Sequence, residues 1–334
     1  LDPFYKAVWE KAFVDAIPIS GTFELTPRCN FRCRMCYVHL EPSEIPKYGK
    51  ELTAREWIRI AKGAKEAGTT WLCITGGEPL MHPEFRTIWR ELSQMGFFIT
   101  LQTNASMIDG KFEKLLEAFP PRQVKITLYG TNNDVYEQVC RIPGGFTKVD
   151  RGIQRLKEMR IPIQLVSTII RQNEEDVKRM AFYAIAISSM DNDGRIKSSV
   201  RGADNEAGDV RIQERLDEQK KKEIQYLLKN RPVEIERKPC TYCKDYRIGY
   251  WITWNGEIRF CSFMNEPHIK IREQAFREAW EKLIRYEEEL DWPEECKTCK
   301  AQKGCFKCAG MLNAECGSPH KVTEEFCEQS KKMA

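Results

Sequence analysis

Residues 71–103 read WLCITGGEPLMHPEFRTIWRELSQMGFFITLQT. The stretch opens on a strand-like apolar run, turns through two glycines into a helix, PEFRTIWRELSQMG, and closes on a second strand, FFITLQT. The same alternation extends in both directions, from Gly21 to about Ser199. Upstream, FELT is followed by TAREWIRIAKGAKEAG, a helix whose start carries a capping box, Thr53 with Glu56 three residues later. Downstream, QVKITL precedes helical pieces around DVYEQV and FTKVDRGIQRLKEM, PIQLVSTII precedes NEEDVKRMAFYAIAISSM, and GRIKSSV closes the series. About six β–α repeats predict a parallel sheet with crossover helices, either doubly wound or closed into a full or partial barrel.

Beyond the repeats the character of the chain changes. Residues 200–210 are polar and read as a linker, and RIQERLDEQKKKEIQYLLKN reads as a charged bridging helix. YWITWNGEIRF carries a hairpin signal with Asn255 and Gly256 at the turn. FREAWEKLIRYEEEL is another helix, and the last forty residues are loop-like and rich in cysteine. The expected divisions are a helical lead-in over 1–20, a barrel over 21–210, a bridging helix over 211–239 and a cysteine-rich domain over 240–334.

The 334 residues carry a formal net charge of +4 with 31% charged side chains, too little basic excess to argue for nucleic acid. No apolar run of about 18 residues is present to span a membrane, and the start lacks a secretory apolar core. Fourteen cysteines are the anomaly, nine of them between Cys240 and Cys327. Disulfide-dense scaffolds are usually small and secreted, so metal or cluster ligation, in a reducing cytoplasmic setting, is the better reading of this long Lys/Glu-rich chain.

Three constellations carry chemistry. Cys29, Cys33 and Cys36 lie in the loop after the first strand, in CNFRCRMC. Thiolates suit zinc or iron–sulfur clusters. Three of them leave one position open, unless a fourth ligand such as His39 closes a structural zinc site. Gly76-Gly77-Glu78-Pro79 follows the second strand, with two glycines that permit close backbone approach and a carboxylate able to accept from an ammonium group. In a βα barrel both loops lie on the C-terminal face, where active sites are built. The third constellation is C-terminal: Cys240, Cys243, Cys261, then Cys296, Cys299, Cys305 and Cys308, and finally Cys316 and Cys327. The CxxC pairs alone would also fit a zinc ribbon.

CNFRCRMC and TGGEP resemble the two signatures of the radical S-adenosylmethionine (SAM) superfamily. LQTNAS, ITLYGTNNDVYEQVCRIPGGFTKV and LVSTIIRQNEED extend the resemblance over residues 20–200. It implies a partial (βα)6 TIM-like barrel, with Cys29, Cys33 and Cys36 holding a 4Fe–4S cluster whose free iron is chelated by SAM. Reduction would release a 5′-deoxyadenosyl radical. By the match, Gly76, Gly77, Glu78 and Pro79 bind the SAM amine, Thr127 and Arg141 sit where its carboxylate is held, and Asn104 lies near the ribose. Met35 replaces the common aromatic before the third cysteine, where the backbone can contact adenine.

The C-terminal cysteines resemble the SPASM extension, which binds two auxiliary 4Fe–4S clusters. Two residues, rather than the usual three, separate Cys305 from Cys308. The carried-over pattern assigns Cys240 or Cys243 or both, Cys261 and Cys308 to one cluster, with Cys316 as a substitute for Cys308. It assigns Cys296, Cys299, Cys305 and Cys327 to the other.

Outside these sets, Cys73 is expected to be a buried small hydrophobe, and Cys140 is a candidate hydrogen-atom donor or an inert packing residue. Asp191, Asp193 and Asp204 are candidates for a base or substrate anchor, or solvated loop carboxylates. Trp251 and Trp254 are expected in the core beneath the clusters. The resemblance implies an enzyme that modifies a ribosomally made peptide, for instance by a thioether or carbon–carbon cross-link, drawing electrons from a flavodoxin- or ferredoxin-type donor. A small-molecule substrate, or sulfatase-maturase-like modification of a protein side chain, is the alternative. A non-catalytic iron–sulfur carrier would not need GGEP opposite a three-cysteine site.

Overall fold

The computed structural model describes residues 3–189, 196–202, 243, 246–302, 305 and 308–333. Cys240, Asp191, Asp193, Asp204 and the expected bridging helix lie outside the described residues.

Among the described residues, nine strands form a single sheet in the order β6-β5-β4-β3-β2-β1-β7-β8-β9. They are β1 (Ser20–Glu24), β2 (Trp71–Thr75), β3 (Phe98–Thr103), β4 (Gln123–Thr127), β5 (Ile163–Ile169), β6 (Ile196–Gly202), β7 (Gly249–Ile252), β8 (Glu257–Arg259) and β9 (Ile269–Lys270). From β6 across to β7 every pairing is parallel, and only the β7–β8 and β8–β9 pairs are antiparallel. The first six strands with their helices are the expected partial barrel.

The helices cover its outer face. They are α1 (Pro3–Val14), the short α2 (Ile45–Tyr48), α3 (Ala54–Glu66), α4 (Phe85–Gln94), α5 (Gly110–Ala118), α6 (Asn133–Cys140), α7 (Gly145–Glu158) and α8 (Val177–Ser189). Local chemistry sets their boundaries. Thr53 accepts from the Glu56 N–H and the Glu56 side chain accepts from the Thr53 N–H, so the capping box at α3 is formed in full. Asp109 and Asn132 cap α5 and α6 in the same manner, through their side-chain oxygens. Helix α3 buries Trp57, Ile60, Ala61 and Ala64, and α4 buries Phe85, Ile88, Trp89 and Leu92. These stripes form one core with the inward strand residues, where Trp57 lies 4.9 Å from the Phe23 ring.

The C-terminal hairpin does not start a separate sheet. Strand β7 pairs with β1 in register Thr22↔Trp251, so the strands after residue 240 continue the barrel on its β1 side. Gly256, at φ +90, closes the β7–β8 turn. Helix α9 (Phe276–Glu289) lies beneath this extension, and its Trp280 indole donates to the Ala16 carbonyl at 2.7 Å. The remaining short helices are α10 (Glu294–Lys297), α11 (Ala309–Cys316) and α12 (Glu324–Met333). No helix among the described residues is long and apolar enough to cross a membrane.

Candidate functional site

Because β1 to β5 run parallel, the loops that follow them gather at one end of the barrel. The cysteine loop after β1 is tied down by the end of α6. The Arg32 and Arg34 N–H groups donate to the Cys140 and Val139 carbonyls at 3.0 Å each, satisfying acceptors that a helix leaves open at its last turn. Phe31 packs edge-on against Tyr136, and its N–H donates to Cys29 Sγ at 3.3 Å, while the His39 N–H donates to Cys36 Sγ at 3.2 Å.

The loop after β2 is zipped to the cysteine loop by backbone alone: Gly77 N–H donates to the Thr26 carbonyl at 2.7 Å and Glu78 N–H to the Arg28 carbonyl at 2.8 Å. A Cβ on Gly76 would stand 2.7 Å from the Thr26 oxygen, and one on Gly77 would stand 2.6 Å from the Arg28 oxygen. The two glycines are therefore required for loop-to-loop packing as well as for approach to a ligand. Glu78 turns away from the opening and is fully buried. Its carboxylate accepts from the Thr103 hydroxyl at 2.8 Å, the Asn104 N–H at 2.8 Å and the Leu80 N–H at 3.2 Å. Burial pushes this carboxyl up to about 7, against those three donors. Glu78 thus braces the loop after β3, whose Asn104 amide donates to Asn30 Oδ1 at 2.9 Å and reaches Cys29 Sγ at 3.9 Å.

Between these loops lies a cavity of about 300 Å³. Its wall contains Cys29, Cys33, Cys36, Met35, Gly76, Gly77, Asn104 and Thr127, all anticipated from sequence. Glu78, Pro79 and Arg141 are not in that wall. Arg141 is exposed at the end of α6 with left-handed backbone, φ +53. Cys140 is buried behind Cys33, whose thiol is held well above its ordinary range first by its hydrogen bond with Cys140 and then by burial. Burial, with Cys33 nearby, pushes Cys36 up to about 11. Thiols so placed become thiolates only beside a bound cation, which is the chemistry a metal cluster supplies.

No three Cys, His, Asp or Glu side chains among the described residues converge closely enough to hold a single ion. The His39 Nε2 faces Glu41 at 3.5 Å and its Nδ1 is buried without a hydrogen-bond partner, and His39 belongs to no such group of three. Cysteines that ring a cavity fit a group of several metal atoms better than one ion, and the residues present fit a cluster with an added small ligand.

The C-terminal cysteines form two groups. Cys296, Cys299, Cys305 and Cys327 line one small cavity with Trp292 and Val322, the four cysteines that the resemblance to the SPASM extension had set together. Cys261 and Cys308 are neighbours: a Cβ on Gly310 would lie 3.1 Å from one sulfur and 3.8 Å from the other. Burial, aided by Cys308 and Cys243, pushes Cys261 up to about 12. Cys316 stands apart from both groups, where the Thr323 N–H donates to its sulfur at 3.4 Å. All thirteen described cysteines are free of disulfides.

Sequence reasoning missed a second cavity, of about 520 Å³, beside the first. The two share Tyr37, Val38, Ser262 and Phe263. Glu24, at the end of β1, lines the second cavity at 5% exposure and accepts from Trp251 Nε1 at 3.0 Å. Burial pushes the Glu24 carboxyl up to about 7, opposed by Trp251 and by the more distant Arg259. Trp251, expected in the core, lines the first cavity, whereas Trp254 is buried as expected. The one sequence signal for Glu24 was an acid inside the otherwise apolar strand GTFEL.

Residues 23–184 match the model of the Radical SAM superfamily, and this segment is a radical SAM domain. The superfamily carries a 4Fe–4S cluster and SAM. Over 91% of the chain, the sequence is 25% identical to an AdoMet-dependent heme synthase of Methanosarcina barkeri, 95% of which is covered. It is 27% identical over 52% of the chain to PqqA peptide cyclase of Ruegeria pomeroyi, of which it spans 45%. In structure the chain is similar over 97% of its length to 80% of Streptococcus suis SuiB bound to precursor peptide SuiA, at a TM-score of 0.69 and 17% identity.

Proposed function

We infer that the chain is a radical SAM enzyme that modifies a peptide. The observation that carries the substrate class is the adjacency of two cavities, about 300 and 520 Å³, that share Tyr37, Val38, Ser262 and Phe263 in their walls. Side by side they offer more room than one small ligand beside the three cysteines would need, which suits successive residues of a chain. The names of PqqA peptide cyclase and of peptide-bound SuiB support the same class.

In this reading Cys29, Cys33 and Cys36 hold the cluster, and Met35, Gly76, Gly77, Asn104 and Thr127 hold SAM. Glu78 acts from behind by fixing the loops after β2 and β3. Bound there, the cluster and SAM supply a carbon-centred radical able to take hydrogen from an unactivated C–H bond. Cys296, Cys299, Cys305 and Cys327 would hold one auxiliary 4Fe–4S cluster, and Cys243, Cys261 and Cys308, with Cys240, a second. A flavodoxin- or ferredoxin-type donor in a reducing cytoplasm fits such a set of centres.

A small-molecule substrate is the second reading, favoured by the match along nearly the whole chain to a protein named heme synthase. The test is anaerobic reconstitution with iron, sulfide, SAM and dithionite, followed by assay of 5′-deoxyadenosine. The product is then sought by mass spectrometry on short peptides encoded beside the gene and, in parallel, on metalloporphyrins. Formation of deoxyadenosine with a mass change in a peptide is the expected result. Absence of deoxyadenosine overturns the enzymatic reading, and turnover of the porphyrin alone overturns the peptide reading.

A further inference from the structure

The second cavity contains a charge that nothing in the radical chemistry uses. Glu24 lines it, nearly buried, and its carboxylate is met by neutral donors, the Trp251 indole at 3.0 Å and the Trp254 backbone N–H. Arg259 lines the same cavity, but its guanidinium is engaged by Glu257, with Nε at 3.2 Å from Oε2. Among the described residues Glu24 therefore has no ion-pair partner of its own. An amide at position 24 would satisfy the indole and the backbone N–H equally well without the cost of burying a charge. A carboxylate has room for about four donors, and two are in place.

A second acceptor stands in the same wall. Asn313 is 3% exposed and its amide nitrogen donates to the Phe263 carbonyl at 2.7 Å, but its Oδ1 is buried with no hydrogen-bond partner in the structure. A buried acceptor left unpaired is costly, and a ligand that brings N–H donors relieves it. The cavity thus holds a carboxylate whose nearest cation, Arg259, is engaged by Glu257, and in the same wall an amide oxygen lacking a donor.

We propose that this cavity is a specificity subsite that seats a primary ammonium group of the substrate against Glu24. The proposal rests on the peptide reading above and deepens it: the ammonium is that of a lysine side chain or of a peptide N-terminus. Because Tyr37 and Phe263, packed ring to ring at 5.7 Å, line both this cavity and the cysteine-lined one, an anchored ammonium would hold the neighbouring part of the chain against that shared wall. Glu24 is then a specificity-determining residue.

The test is titration calorimetry on the reconstituted holoprotein with SAM, using four probes: Ac-Gly-Lys-Gly-NH2, Ac-Gly-norleucine-Gly-NH2, Gly-norleucine-Gly-NH2 with its free amine, and n-butylammonium. An ammonium-bearing peptide should bind about tenfold tighter than the capped norleucine peptide, the factor expected of one charged hydrogen-bonded contact. Which of the two wins identifies the source of the ammonium. Glu24→Gln, which keeps an acceptor for Trp251, should abolish the preference while SAM binding is unchanged, and Glu24→Asp should retain part of it. Should Glu24→Gln fail to fold, Glu24→Asp serves in its place: drawn back by one methylene, the carboxylate should bind the ammonium peptide more weakly and leave the capped norleucine peptide unchanged.

Equal binding of lysine and norleucine peptides leaves the peptide reading standing and overturns the subsite. A preference that survives Glu24→Gln, or that Glu24→Asp leaves undiminished, also overturns it. Glu24-dependent binding of n-butylammonium without binding of any peptide keeps the subsite and overturns the peptide reading. Failure of all four probes to bind overturns the subsite.

Discussion

Glu78→Gln is the sharpest test of how the site is braced. The carboxylate accepts from the Asn104 N–H through one oxygen and from the Leu80 N–H through the other, while the Thr103 hydroxyl lies 2.8 Å from both. Glutamine offers one oxygen and one NH2. Whichever way the amide lies, one buried N–H faces a donor and loses its acceptor, which costs about 1–3 kcal/mol. The charge-assisted character of the remaining bonds is lost as well. At pH 8, above the value of about 7 to which burial raises this carboxyl despite those donors, the variant also sheds the cost of burying the charge, so by linkage it should be more stable than the parent by about 3 kcal/mol, a rise in Tm of about 4 °C in a chain of this length. The strain is local to the loops after β2 and β3, so SAM affinity of the reconstituted protein should fall about tenfold, the change that 1.4 kcal/mol produces. Thermal melts and SAM titration check both. A variant that melts within about 1 °C of the parent and binds SAM unchanged would refute the bracing role.

Glu287 is 4% exposed, its Oε2 has no partner in the structure, and burial pushes its carboxyl up from 4.5 to about 8. A raised acid stabilises the folded chain below 4.5 and loses that contribution as pH rises through 8, on the order of 4 kcal/mol in all. Glu287→Gln should therefore match the parent near pH 5 and exceed it at pH 9, and parallel melting profiles across that range would contradict this. Gly152→Ala places a Cβ 2.0 Å from the Ala105 carbonyl oxygen. Overpacking should outweigh the gain in helix propensity by about 1–2 kcal/mol, read as a lower denaturant midpoint. Cys327→Ser should lower iron and sulfide by one cluster's share, while Cys316→Ser, whose thiol is held by Thr323, should leave both unchanged on chemical analysis.

The alternation of strands and helices and the α3 capping box were legible in the sequence. Each is written in local period or spacing, which survives whatever the rest of the chain does. The three-cysteine loop and the glycine pair were legible for the same reason, since consecutive βα loops share one face of a parallel barrel.

Partners were not legible in this way. That Glu78 serves Thr103 and Asn104, that Gly76 and Gly77 pack against the Thr26 and Arg28 carbonyls, and that Arg141 ends outside the cavity wall depend on how neighbouring loops dock. The parallel pairing of β7 with β1 joins segments far apart in the chain, and it alone brings Trp251 to Glu24 and opens the second cavity beside the first. Local pattern determined which elements form and which residues carry reactive groups. Only long-range pairing decided which buried polar atom meets which donor, because that depends on strand register and loop docking that no single stretch of sequence contains.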